Sequence, residues 1–226
     1  MTRSVALVGG GPGDPGLLTL RAEALLAAAQ IVVADRPLLP TAALRAPRAQ
    51  LVAVEEEGDG AGAELLAAVA AATGPVVRLY RGDPWLHPAH QREASALRAA
   101  GVATEAVPGV ATEVALPGLA GVPLHARPVA VTATFARPET APSPFDPART
   151  LVVTATDVRT AAARLVPTGS AAALSTAAAV AVAGSAGPAQ VWRGSLATAA
   201  QWAPAGPGLV VCGAVAALDT TGGTAS

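Results

Sequence analysis

The chain has 226 residues and a formal net charge of −1 at pH 7, with 52% of its residues apolar. That is enough to bury one large core or two small ones, which excludes a disordered chain. Charges and breakers interrupt every stretch long enough to span a bilayer, and all 15 basic residues are arginines without a basic patch, so neither a membrane nor nucleic acid is an expected partner.

Val5-Ala6-Leu7-Val8 is a continuous apolar run stopped by glycines, the pattern of a strand buried on both faces of a parallel sheet. A glycine loop follows. Thr19 stands where it would cap a helix on which Leu18, Ala22, Leu25 and Ala29 recur at helical spacing, and Ile31-Val32-Val33 opens a second strand. The rhythm predicts further strands at Leu51–Val54, at Val76–Tyr80 and ending near Val107, with helices over Ala63–Ala72 and Arg92–Ala100. Pro108-Gly109 breaks it, and a helix to Leu119 leads into a second series of apolar runs.

Strands are predicted there at Val129–Thr134, Leu151–Thr154, Ala178–Val182, Gln190–Arg193 and Leu209–Cys212, and helices at Val158–Leu165 and Leu196–Trp202. Pro138–Pro147 reads as a surface loop or flap, and Thr220–Ser226 as a frayed tail. The expectation is an α/β protein with an N-terminal α/β domain over residues 1–107, a C-terminal α/β domain over 108–219 and a flexible tail over 220–226.

Met1–Leu7 runs straight into a strand without the features of an export signal, and the single cysteine, Cys212, has no partner for a disulfide or a thiolate metal site. The expected location is the cytoplasm. His87 and His90 are three residues apart, but Pro88 argues against a regular helix presenting both to one metal, so no metal is expected.

Gly11-Pro12-Gly13-Asp14-Pro15-Gly16 satisfies G-x-G-x-x-G, and Asp35 lies near the spacing of a ribose-binding acid. A nicotinamide or flavin enzyme is thus one reading. Against it, Pro12 and Pro15 lack the N–H groups that would meet a pyrophosphate, and Asp14 adds a negative charge. A structural turn without a ligand is another reading.

The segment VALVGGGPGDPGLLTLRAEALLAAAQIVVADRPL resembles the start of the S-adenosylmethionine-dependent tetrapyrrole methylases, and within them the uroporphyrinogen-III C-methyltransferases, with their GxGPGDPxLLT loop and ADVVxYDRL strand. VVRLYRGDPWLH is similar to the family's VVRLKGGDPFVF, EAVPGVATEVALPGLAGVPLHAR to its VVPGVTSAxxxPAYAGIPLTHR, and GPGLVVCGAV to its closing PALIVVGEVV. The resemblance implies two α/β domains with the active-site cleft between them, a homodimer, S-adenosyl-L-methionine as cofactor and a tetrapyrrole substrate. The reaction it implies is the conversion of uroporphyrinogen III to precorrin-2, towards sirohaem or cobalamin. A methylase of another precorrin or of a peptide amide, and a noncatalytic subunit retaining the fold, remain alternatives.

Carried over position by position, the resemblance places cofactor contacts at Pro12, Arg81, Gly82, Asp83, Ala111, Thr112, Ala155, Val180 and Gly208, with Ala155 where the family has methionine and Arg81 where it has glycine. It implies that Arg127, in Leu124-His125-Ala126-Arg127, grips a substrate carboxylate, and that Asp35 lies beside the tetrapyrrole as a catalytic residue. The departures fall on the substrate side. Ala89 and Arg92 replace an arginine and a glutamate of the family's VFGRGGEE segment, and Glu55-Glu56-Glu57-Gly58-Asp59-Gly60 takes the place of a GK-containing loop. Thr134-Phe135-Ala136 stands for its TGH. Trp85 is a candidate wall of the tetrapyrrole pocket, while Trp192 and Trp202 read as packing.

Overall fold

Val5 and Leu7 alternate with Ala6 and Val8 across β1 (Ser4–Gly9), and all four are buried, so this strand needs apolar cover on both faces. The computed structural model describes residues 4–55, 61–87, 89–128, 130–141, 149–165, 178–183, 190–195, 198, 201, 203 and 205–218. It sets β1 in a parallel sheet with β2 (Ile31–Asp35), β3 (Gln50–Val54), β4 (Val76–Tyr80) and β5 (Ala103–Val107), in the order β3-β2-β4-β1-β5.

Ala6, Val8, Val32, Ala34, Val77 and Leu79 form one face, packed with Ala22 and Leu26 of α1 (Leu20–Ala28) and Ala42 of α2 (Leu39–Arg45). The opposite face, with Val5, Leu7, Ile31, Val33, Val76 and Tyr80, packs on Leu65, Ala68 and Val69 of α3 (Ala61–Ala71) and Leu97 of α4 (His90–Ala99). Strand alternation puts Asp35, Arg78 and Tyr80 on this second face, with Asp35 and Tyr80 at the carboxyl ends of β2 and β4 and Arg78 in the middle of β4.

Thr19 caps α1 as its sequence predicts, its hydroxyl accepting the Ala22 N–H at 3.2 Å. Helix α2 is an addition. Pro40 lies in its first turn, where a backbone N–H has no partner within the helix and proline costs nothing.

By its internal contacts the chain forms two compact units, Met1–Thr112 and Glu113–Ser226. After α5 (Thr112–Leu119), the second unit builds a mixed sheet from β6 (Ala133–Ala136), β7 (Thr150–Ala155), β8 (Ala178–Ala183), β9 (Gln190–Ser195) and β10 (Gly208–Cys212), with α6 (Val158–Leu165) on one face. The order is β6-β7-β10-β8-β9, and only β6 and β7 run parallel. Val152, Leu209 and Val211 cover the other face with Leu116 and Val122.

The strand predicted at Val129–Thr134 starts later than expected. Ala130 exchanges both backbone hydrogen bonds with Ala126, at 2.7 and 2.9 Å, which removes it from the sheet, and pairing begins at Ala133 opposite Thr150. Thr134-Phe135-Ala136 therefore belong to the strand itself rather than to a loop after it. The tail over 220–226 and most of the predicted helix Leu196–Trp202, including Trp202, lie outside the described residues, as do residues 142–148 of the predicted flap and 56–60 of the acidic loop.

Candidate functional site

At the carboxyl ends of β1, β4 and β5 three glycine segments meet backbone to backbone. Gly11 and Gly82 exchange N–H···O=C bonds of 3.2 and 2.8 Å, and both have φ near +70°, at 67° and 71°, a conformation that favours glycine. A Cβ on Gly109 would stand 2.5 Å from the Gly82 carbonyl oxygen, so the approach itself requires a bare backbone. Asp83 fastens the second segment to the third: one carboxylate oxygen accepts the Gly109 N–H at 2.9 Å, and the other takes the Trp85 N–H of its own turn at 2.8 Å. Thr41 donates its hydroxyl to the Gly13 carbonyl at 2.7 Å and anchors the first loop from α2.

Beside this clasp the Thr112 hydroxyl is buried and has no hydrogen-bond partner among the described residues. It faces Gly82, where an added Cβ would lie 3.1 Å from it. A buried hydroxyl without a partner marks a place where a ligand would complete the bonding. Pro12 is buried in the same clasp and Ala111 is half-buried next to Thr112, so six of the expected cofactor positions, Pro12, Arg81, Gly82, Asp83, Ala111 and Thr112, gather in the first unit.

A pyrophosphate does not suit the loop. The Asp14 carboxylate already takes the Gly16 N–H at 2.7 Å, Leu17 N–H goes to the Asp14 carbonyl, and the prolines contribute no donor.

Under the clasp lies a charged cluster that the sequence reading did not anticipate. Arg78, buried in β4, donates through Nε and Nη2 to Glu93 of α4 at 2.9 and 3.2 Å and through Nη1 to the Leu79 carbonyl. Its Nη2 also lies 2.8 Å from Asp35 Oδ1. The Tyr80 hydroxyl donates to Glu93 at 2.6 Å. Asp35 Oδ2 accepts the Arg81 N–H at 2.7 Å and stands 3.0 Å from His87 Nε2.

Burial pushes the Asp35 carboxyl up, but the contact with His87, the charge of Arg78 and the Arg81 N–H outweigh it and hold the group below the usual carboxylate range. Burial and the neighbouring Glu93 push the Tyr80 phenol up, so it stays a donor. The signal that could have found this cluster is the lone arginine in the otherwise apolar VVRLY strand, since a buried charge must be paired.

Asp35 is itself 0% exposed; Oδ2 accepts one hydrogen bond, from Arg81, and Arg78 and His87 stand within ion-pair distance. Proton removal by Asp35 would first require it to give up those contacts. Arg81 is half-buried at the head of the turn. His87 turns towards Asp35, whereas His90 packs edge-on between Tyr80 and Trp85. Trp85 is 67% exposed, and Ala89 is 1% exposed. Arg92 points to solvent.

In the second unit Gly208 of β10 pairs directly with Ala155 of β7, and Val180 of β8 pairs with Val211, so these three expected positions share neighbouring strands. Arg127 is exposed in the turn closed by the Ala126–Ala130 pair, and His125 nearby is exposed. Cys212 is fully buried, which pushes its thiol up to about 12, and Trp192 packs on the α6 side of the sheet.

A family profile described as tetrapyrrole (corrin/porphyrin) methylases matches residues 4–200. The chain belongs to the tetrapyrrole methylases. Curated members similar to it include the uroporphyrinogen-III C-methyltransferase of Synechocystis sp., 39% identical over 139 residues, which is 58% of this chain and 52% of that protein. The S-adenosyl-L-methionine-dependent uroporphyrinogen III methyltransferase of Methanosarcina barkeri is 36% identical over 140 residues, 58% of this chain and 54% of that protein. The matched stretch thus spans about half the length of these relatives.

Among solved structures, uroporphyrin-III-C-methyltransferase from Thermus thermophilus superimposes with a TM-score of 0.78 at 30% identity, over 96% of this chain and 94% of that one. The same enzyme complexed with S-adenosyl homocysteine gives 0.77 at 29% identity, over 94% and 98%. The expected family and the expected α/β fold of the tetrapyrrole methylase type are both borne out.

Proposed function

We propose that this tetrapyrrole methylase is an S-adenosylmethionine-dependent C-methyltransferase converting uroporphyrinogen III to precorrin-2. The observation that carries the reading is the clasp of Gly9–Gly11, Gly82 and Gly109 beside the unpartnered Thr112 hydroxyl. It offers a ligand close backbone and a hydroxyl rather than phosphate donors, and the fit is to an adenosyl amino acid.

Bound S-adenosylmethionine would supply an activated methyl group, whose transfer is an in-line displacement governed by alignment. Pro12, Gly82, Asp83, Ala111 and Thr112 would hold the cofactor in the first unit, and the family resemblance adds Ala155, Val180 and Gly208 as proposed contacts. Arg127 is proposed to grip a substrate carboxylate with paired hydrogen bonds. Asp35 enters through the turn it holds at Arg81. The homodimer is proposed on the family resemblance alone, and the cytoplasmic location on the single cysteine, Cys212, which has no disulfide partner.

A methylase of another substrate is the second reading. It is favoured by Ala89, which is buried and small where the family motif has an arginine, and by Arg92, which carries positive charge in place of a glutamate.

Calorimetry with S-adenosylhomocysteine tests the cofactor, and stoichiometric heat is expected. A ligand specific for the folded state must also raise its apparent stability, so silence in both heat and melting temperature at millimolar ligand would sink the proposal. Binding of NADH instead would return the chain to the dinucleotide enzymes. Anaerobic incubation with uroporphyrinogen III and S-adenosylmethionine should give a product heavier by two methyl groups. Cofactor binding without that product, beside a competent control enzyme, would select the second reading.

A further inference from the structure

We propose that His87 is a positioning residue for the cofactor clasp: it holds Asp35 in the orientation in which that carboxylate fixes the backbone N–H of Arg81. The inference rests on the reading of the clasp as the cofactor site and deepens it.

Arg81 opens the turn whose next two residues make the clasp, Gly82 through its pair of bonds to Gly11 and Asp83 through Gly109. The hydrogen bond of 2.7 Å from Arg81 N–H to Asp35 Oδ2 therefore anchors the turn at its upstream end. What holds Asp35 decides how firm that anchor is.

Arg78 does not suffice. Its guanidinium is divided between two carboxylates, and its aligned hydrogen bonds go to Glu93 and to the Leu79 carbonyl. Towards Asp35 it offers an ion pair of 2.8 Å to Oδ1, an oxygen that receives no aligned hydrogen bond. On Oδ2 the second contact is His87 Nε2 at 3.0 Å, within ion-pair range though off the ideal hydrogen-bond axis.

The imidazole is tethered through its other nitrogen. Its Nδ1 accepts the Ala89 N–H at 3.2 Å, which leaves Nε2 as the nitrogen that carries a proton towards Asp35. The side chain is 3% exposed and is braced by the Tyr80 ring, 5.0 Å away between centroids. With the imidazole gone, the nearest strong attraction on the carboxylate is Arg78, and rotation towards it releases the Arg81 N–H.

Two substitutions in the full chain separate this role from packing. His87→Phe keeps a flat ring of similar volume and removes the N–H, while His87→Gln returns an N–H at the end of a planar amide. Amide hydrogen exchange read residue by residue on the ligand-free protein should show the Arg81 amide exchanging at least about tenfold faster in His87→Phe, relative to the β4 amides, and close to its original rate in His87→Gln. S-adenosylhomocysteine affinity should fall about tenfold in His87→Phe and mostly return in His87→Gln.

Unchanged Arg81 exchange together with unchanged affinity in His87→Phe would overturn the proposal alone, and so would equal impairment in both variants, which would mark a packing role. If the unaltered protein does not bind S-adenosylhomocysteine, the cofactor reading falls and the proposal falls with it.

Discussion

A Cβ on Gly109 would lie 2.7 Å from the Cα of Gly9, well inside any permitted carbon–carbon contact. The two segments touch because neither residue has a side chain. Gly9→Ala is expected to destabilise by about 1–3 kcal/mol, as an overpacked site does, and to abolish measurable S-adenosylhomocysteine binding. Gly62→Ala is the control: an added Cβ there meets nothing within 4 Å, and its position in α3 should make it neutral or stabilising by up to about 0.5–1 kcal/mol. Denaturant unfolding of both variants, followed by calorimetry, checks the pair.

Removing one donor from the buried cluster should be felt in stability. Tyr80→Phe takes a 2.6 Å hydrogen bond from the Glu93 carboxylate and should cost about 1.5–3 kcal/mol. Arg78→Met strands two buried carboxylates and should cost more, about 3–5 kcal/mol. Urea midpoints measured at constant m-value give the order, and the reverse order would show that Arg78 is not what holds the cluster together.

Asp157 holds the Gly206 loop in the second unit. The Gly206 N–H at 2.9 Å and the Thr160 N–H at 2.7 Å donate to its carboxylate and hold its pKa down at about 2, against an ordinary 3.8. Because the folded value is the lower one, the stabilisation is complete above pH 4 or so and is lost as pH falls towards about 2. Asp35, also depressed, adds to the loss in the same direction. Asp157→Asn should flatten the melting temperature between about pH 4 and pH 2, and a slope identical to the parent would remove Asp157 from the acid limb.

Arg127→Ala should leave stability within about 0.5 kcal/mol, since the residue is exposed, yet weaken tetrapyrrole binding by about 2–5 kcal/mol. Arg127→Lys should recover part of that loss, because a point charge cannot reproduce paired hydrogen bonds. Titration with uroporphyrinogen under anaerobic conditions measures both. Equal affinity in Arg127→Ala and its parent would assign the grip to another residue, with Arg92 first in line.

The strands buried on both faces were legible because burial demands unbroken apolar runs, as in Val5–Val8, Ile31–Val33 and Leu209–Cys212. The cap at Thr19 was legible because one hydroxyl ahead of a helical stripe has few other uses. Helix α2 was not: Pro37 and Pro40 look like breakers until the first-turn position of Pro40 is known. At Val129–Thr134 a local pairing won, since Ala130 exchanges its hydrogen bonds with Ala126 rather than with the sheet. The clasp was read from motifs resembling a family, never from periodicity. The cluster beneath it was missed because Asp35, Arg78 and Glu93 come from separate elements: the pairing of β2 with β4 brings Asp35 to Arg78, and the packing of α4 on the sheet adds Glu93.

The strand order has a consequence for biosynthesis. β1 is made before every other strand of its sheet, yet it hydrogen-bonds only with β4 and β5, the last two strands of that sheet to leave the ribosome, whereas β2 and β3 can pair as soon as they emerge. Until then the nascent chain carries an apolar strand with two open edges, the kind of segment that pairs with the wrong chain. The clasp joins residues 9–11 to Gly82 and Gly109, so it is among the last features of the first unit to assemble, and a nascent chain halted before Val107 has no clasp to offer a ligand.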